Sequence, residues 1–201
     1  WNDYERHYEK KEKIIRIAVV GDSFIEAFHV NKSNAVGPVM ELWLNNNCGS
    51  ISNDYTFEVL SFGASGWGTA QMYLTIRDEV ILYKPDYVVL AFFPGNDLKN
   101  NIFKNILQKS RDRVSGWDGK LYFVWLHSRE RYEQNYEWPG YYREYILCTA
   151  KELGLPIIDI HKSVFAPHPD PLSLFPFRKA LHYNADGYRL VAEEISSRLM
   201  M

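Results

Sequence analysis

The chain has only two cysteines, Cys48 and Cys148, among its 201 residues. They form no Cys-x-x-Cys pair and no zinc-type spacing, which argues against a disulfide-stapled scaffold and against a structural zinc site. One disulfide and two free buried thiols both fit, so the redox compartment stays open. No apolar run approaches the ~20 residues that span a bilayer, so no membrane span is expected. Excess charge is lacking too: 23 Lys and Arg against 25 Asp and Glu leave a net charge of −2. Nucleic-acid binders carry a basic patch or a high pI, so nucleic acid is not an expected partner. Internal repeats, low-complexity tracts and a signal peptide are also absent. The first residue is Trp1, not Met, as expected of a fragment or processed form. A signal or anchor lost upstream would make the protein secreted or periplasmic.

What is present is a globular composition. Apolar residues make up 46% and charged residues 24%, which is ordinary for a folded protein. The length fits one domain of ~100–200 residues. Residues 1–13 are polar and charged and read as an N-terminal arm or linker, so residues 14–201 are expected to form the single domain. Aromatics reach 15%, many of them between Tyr122 and Tyr145.

The organising stretch is Ile14-Ile15-Arg16-Ile17-Ala18-Val19-Val20-Gly21-Asp22-Ser23. It begins as a β-branched run of strand length and stops at Gly-Asp-Ser. Further strands are expected at Phe57–Ser61, Tyr87–Phe93, Leu121–Leu126 and Pro156–Ile160. The Tyr87–Phe93 run has no polar alternation, as for a strand covered on both faces of a parallel sheet. Helices are expected at Asn34–Asn46, Thr69–Leu82 (Thr69 as N-cap), partly over Leu98–Arg113, at Tyr141–Leu153 and at Asn184–Leu199, from apolar residues at helical spacing. His161–Lys179 reads as a long Pro-rich loop. Five strands separated by helices imply βαβ units and a five-stranded parallel sheet in an α/β fold.

Ligands of open parallel sheets collect at the carboxyl ends of the strands. Gly21-Asp22-Ser23, Ser65-Gly66 and Gly95-Asn96-Asp97 all follow strands, and His182-Tyr183-Asn184 precedes the last helix. Serine is a weak nucleophile until a base takes its proton, and His182 is the natural base for Ser23. Acyl transfer also builds an oxyanion, which needs fixed donors. The Ser23 amide, the Gly66 amide and the Asn96 side chain are of the right type. Glycine at 66 would let backbone approach a substrate with no Cβ between them. Asp22 reads as a turn or capping residue.

These four blocks, Gly21-Asp22-Ser23-Phe24, Phe62-Gly63-Ala64-Ser65-Gly66, Pro94-Gly95-Asn96-Asp97 and His182-Tyr183-Asn184-Ala185-Asp186-Gly187-Tyr188, resemble in order those of the SGNH (GDSL) hydrolases. Pro85-Asp86-Tyr87-Val88-Val89-Leu90 resembles the strand that the family places before its Asn block. The likeness runs from about Ile14 to the C-terminus. It implies a flavodoxin-like three-layer α/β/α sandwich and hydrolysis of carboxylic esters or thioesters, with no metal or organic cofactor. It also implies a Ser-His-Asp triad, with Gly66 and Asn96 serving the oxyanion hole. The motif is not the G-x-S-x-G elbow of α/β-hydrolases.

The chain departs from the family at one place. The triad aspartate usually stands three, sometimes two, residues before the histidine, and here those positions hold Lys179 and Ala180. A Ser-His dyad, another acid (Asp170 being the nearest candidate) and a degenerate site all fit. The expected partner is a small-molecule or carbohydrate ester, with O-acetylated carbohydrate suggested by family habit and by a sugar-stacking reading of Tyr132, Tyr136, Trp138, Tyr141 and Tyr142; core packing and loop anchoring is the favoured reading of that cluster. An O-acetyltransferase using the same acyl-enzyme, or a non-catalytic glycan- or lipid-binding module, are the alternatives. His29 lines the pocket or packs at the surface. A metal site at His161 and His168 is disfavoured for want of a third ligand. Arg111, Arg113, Arg129 and Arg131 read as a solvated face.

Overall fold

A computed structural model describes residues 6–48, 55–96, 102–132 and 140–201, the side chains of 140 and 141 apart. Five strands form one sheet: β1 (Ile14–Gly21), β2 (Thr56–Gly63), β3 (Tyr87–Phe92), β4 (Lys120–Trp125) and β5 (Ile157–Asp159). Their order is β2-β1-β3-β4-β5 and every pairing is parallel. The expected α/β class and all-parallel sheet are therefore observed. Because side chains alternate across a strand, β1 sends Ile17 and Val19 to one face and Ala18 and Val20 to the other, all four fully buried.

Each face is covered by its own helices. Met40 and Leu44 of α2 (Val36–Asn47) and Tyr188, Val191, Ala192 and Ile195 of α7 (Ala185–Leu199) pack on the Ile17 side. On the Ala18 side lie α3 (Thr69–Thr75), which runs through a π-helical turn (Ile76–Val80) into α4 (Ile81–Tyr83), then α5 (Ile102–Ser115) and α6 (Gly140–Glu152). This gives the three layers. The one-turn helix α1 (Ser23–Glu26) sits at the end of β1.

Several local expectations need correction. The N-cap of α3 is Gly68, not Thr69. Gln71 folds back to accept the Gly68 N–H at 3.2 Å, and Thr69 is buried. The Pro-rich stretch 161–179 is not a plain loop: it holds a π-helical turn (His161–Phe165) and two short 3₁₀ turns (Pro171–Leu174 and Pro176–Arg178). The start of the helix expected over Leu98–Arg113 lies partly outside the described residues. Arg111 donates to the Leu153 carbonyl at 2.9 Å and so is not simply solvated. The two cysteines form no disulfide, and neither is buried as the free-thiol reading expects: Cys48 is half-buried and Cys148 exposed.

Arg16 is the exception in an apolar strand. It is almost fully buried, and its guanidinium meets Glu58 at 2.9 Å and the carbonyls of Tyr8 and Tyr83 at 3.0 Å. A buried charge needs such partners. The Tyr8 contact draws the described part of the N-terminal arm onto the body, where Arg6 also pairs with Glu41 and Lys10 with Asp86.

Gly21 and Gly63 are register partners at the ends of β1 and β2. A Cβ on Gly63 would lie 2.5 Å from the Glu26 nitrogen and 2.8 Å from the Ile25 carbonyl carbon. Helix α1 therefore rests on bare backbone. Gly63→Ala is expected to push α1 off the sheet and to cost roughly 1–3 kcal/mol, as overpacking does. Denaturant unfolding followed by circular dichroism reads that loss.

Candidate active site

In a sheet of order 2-1-3-4-5 the strand order reverses between β1 and β3, and that switch point opens the crevice where ligands bind. The turn after β1 stands there. Asp22 has no exposed surface, and its carboxylate accepts the Phe24 N–H at 2.9 Å as the N-cap of α1. The capping role read from the sequence is therefore observed. Its other oxygen accepts from the Asn96 side-chain amide at 2.6 Å. A carboxylate only accepts, so this contact fixes which end of the Asn96 amide carries the nitrogen. No local signal pairs the two residues, which stand 74 apart in the chain.

Ser23 is the first residue of α1 and is half-buried. Its Oγ lies 2.8 Å from Nε2 of His182, which comes from the loop before α7. Two residues that stand 159 apart in the chain thus meet at hydrogen-bond distance. The His182 ring also packs on Phe24, with ring centroids 4.7 Å apart, and on His29, at 4.6 Å. Burial, and then the charge of His29, lower its pKa below the usual 6.5. At neutral pH the imidazole is therefore uncharged and able to accept a proton.

Gly66 lies in a tight turn closed by the Trp67 N–H to the Ala64 carbonyl at 3.2 Å. Its φ of +78° is what the third position of a type II turn requires. A Cβ there would meet nothing within 4 Å. The glycine is thus needed for conformation, not to relieve crowding. The turn is tied to α1 through Ser65, whose N–H donates to Glu26 Oε2 at 2.8 Å and whose hydroxyl meets the same oxygen. Asn96, Ser23–His182 and the Gly66 turn are therefore each attached to the segment Asp22–Glu26. Asp97 falls outside the described residues.

No carboxylate orients His182 among the described residues. Lys179 is exposed, and Asp170 is held by Arg178 at 2.6 and 2.9 Å. Asp170 is thus not a stand-in for the triad acid. A few residues before His182, Phe177 and Arg178 both have positive φ, and Phe177 is 93% exposed.

The aromatic cluster divides. Tyr142 is a core residue, and Tyr132 packs edge-on against the buried His127. Tyr136, Trp138 and the side chain of Tyr141 lie outside the described residues. His161 stacks on His127 at 4.6 Å, where burial pushes the His127 pKa down to about 2. Among the described residues, no three His, Cys, Asp or Glu side chains gather as a metal site would require. No described helix is long and apolar enough to cross a membrane. A cavity of about 570 Å³ flanks α1, lined in part by Glu26, Phe28, Lys32, Leu42 and Gly63; Ser23, Asn96 and His182 are not among its lining residues.

Known proteins give a consistent picture. A family model described as the GDSL-like lipase/acylhydrolase family matches residues 19–190. No curated protein matches the chain in sequence. Among solved structures, an acetyl xylan esterase superposes with a TM-score of 0.70 at 20% identity, over 92% of this chain and 100% of its own. A lipase/acylhydrolase from Enterococcus faecalis gives 0.67 at 20% identity, over 92% and 94%. A catalytic mutant of an acetylxylan esterase from Geobacillus stearothermophilus gives 0.68 at 13% identity, over 92% and 94%. At these identities the structures speak for the fold. The family match covers most of the chain, and with it the protein belongs to the GDSL-like lipase/acylhydrolase family, as an enzyme that hydrolyses carboxylic esters.

Proposed function

We propose that the protein is a serine esterase acting on short-chain, and in particular acetyl, esters through an acyl-enzyme. The observation that carries this reading is the 2.8 Å approach of His182 Nε2 to Ser23 Oγ. Neutral His182, with its proton on Nδ1, accepts the hydroxyl proton as Oγ bonds to the ester carbonyl carbon. The resulting oxyanion is met by the amides of Ser23 and Gly66 and by the second N–H of Asn96, the first being committed to Asp22. Each such donor lowers the barrier by roughly 2.7–4 kcal/mol. The imidazolium then protonates the leaving alcohol as its C–O bond breaks. Water, deprotonated by the same histidine, attacks the acyl-enzyme, and the carboxylic acid leaves as Ser23 recovers its proton.

An O-acetylated carbohydrate is the substrate class we favour. Two fold relatives are acetyl xylan esterases, and a third is an esterase active on acetylated mannans. A second reading has its own observation: with Lys179 and Ala180 where the acid would stand, the chain would be a binding module on the same scaffold. Loss of the acid from a Ser-His-Asp triad costs about 10⁴-fold in kcat, so slow turnover is compatible with the first reading.

Hydrolysis of p-nitrophenyl acetate and of longer esters across pH separates the two. Ser23→Ala is expected to abolish turnover, and Asn96→Ala to lower kcat by roughly 10²–10³-fold. Turnover requires uncharged His182, and its folded pKa is depressed. The acid limb of kcat/KM should therefore have its midpoint below 6.5, with the rate rising as pH rises through it. Turnover no faster than that of Ser23→Ala on every ester would support the binding module instead.

A further inference from the structure

The proposed base has no carboxylate behind it among the described residues, yet its ring sits at bonding distance from the serine. We propose that His29 is the positioning residue for His182: it packs its imidazole against the His182 ring and is itself anchored on the Tyr183 carbonyl. This rests on reading Ser23 and His182 as the catalytic pair.

Three observations carry the assignment. The two imidazole rings lie 4.6 Å apart at an interplanar angle of 38°. With Phe24 at 4.7 Å, this gives His182 two aromatic neighbours, both from the segment that follows the serine. Second, His29 is fixed at its far end. Its Nε2 is 3.1 Å from the Tyr183 carbonyl and 3.4 Å from the Tyr188 hydroxyl. A carbonyl only accepts, so that nitrogen carries the proton. The bond ties His29 to the residue directly after the base, and ring and backbone are then held together.

Third, the chain adopts an unfavourable conformation to bring His29 there. Helix α1 stops after one turn because Ala27 is left-handed, with φ +52° and ψ +37°. Its N–H bonds the Ser23 carbonyl at 3.0 Å, and its own carbonyl accepts from Val30 at 3.2 Å. A left-handed non-glycine residue costs roughly 1–2 kcal/mol. Strain of this kind gathers at functional sites, where the surroundings over-determine it. His29 is itself exposed, so burying its own surface is not what the strained turn achieves. What it does achieve is a cover over the base.

The titratable groups facing His29 are His182 and Tyr188, and those facing His182 are Ser23 and His29. Removing His29 would remove a nearby charge and let water reach the His182 ring. Both changes favour the imidazolium, so both move the acid limb to higher pH.

The test uses the full chain with p-nitrophenyl acetate. His29→Ala is expected to lower kcat roughly ten- to hundredfold, the scale of a misplaced catalytic group, with KM little changed and the acid limb moved upward. His29→Phe keeps a ring against His182 and should restore most of kcat. If His29→Ala does not fold, His29→Gln, which keeps a donor for the Tyr183 carbonyl but no ring, should show the same slow rate and upward limb. Wild-type kcat and an unmoved limb in the ringless variant would overturn the proposal, as would a His29→Phe enzyme no faster than it. Ser23→Ala in parallel keeps the two readings apart. Residual turnover there sinks the serine mechanism itself, whereas a dead Ser23→Ala beside an unaffected His29→Ala sinks only the role of His29.

Discussion

The site depends on how β1 ends. The strand stops at a buried aspartate whose carboxylate closes a single helical turn, and that turn supplies attachment points for the three other blocks. Asp22 holds Asn96, Ser23 meets His182, and Glu26 holds Ser65 beside Gly66. The turn in turn rests on Gly21 and Gly63, where a side chain would collide with Ile25 or with the backbone of α1. Short hydrogen bonds to one rigid segment preorganise the loops more tightly than loop-to-loop contacts would. Preorganisation of donors is where electrostatic catalysis draws its effect.

Among the described residues no carboxylate stands behind His182, and this changes the balance there. A carboxylate at Nδ1 stabilises the imidazolium and raises its pKa. Here the causes run the other way, burial first and the charge of His29 second. His182 is uncharged over more of the pH range but holds a proton less firmly once it has taken one. General-base efficiency follows basicity, so the arrangement favours readiness over strength. Slow chemistry with a low acid limb is the expected combination.

Much of the architecture was legible in the sequence. The run Ile14–Val20, stopping at Gly-Asp-Ser, marks a strand, the run Tyr87–Phe93 one buried on both faces, and the alternation of such runs with helical periods leads to a parallel sheet. The order of the four blocks also pointed to Ser23 and His182 as neighbours. What escaped were features whose cause lies far along the chain. Asp22 and Asn96, or His29 and Tyr183, have no local signal that pairs them. Thr69 looks like a cap in isolation, but Gln71 supplies the acceptor for Gly68 and tertiary packing buries the threonine. Tyr142, by contrast, is core as the packing reading of the aromatic group expects, because α6 turns that face to the sheet.

The central claim is that Ser23 is a nucleophile activated by His182. Stoichiometric labelling with a fluorophosphonate, followed by mass spectrometry of the digested chain, tests it most directly, because it needs no knowledge of the natural ester. The account expects one adduct per chain, on the peptide that carries Ser23, formed far more slowly when His182 is replaced by alanine. An unlabelled Ser23, or one labelled equally fast without His182, would contradict it.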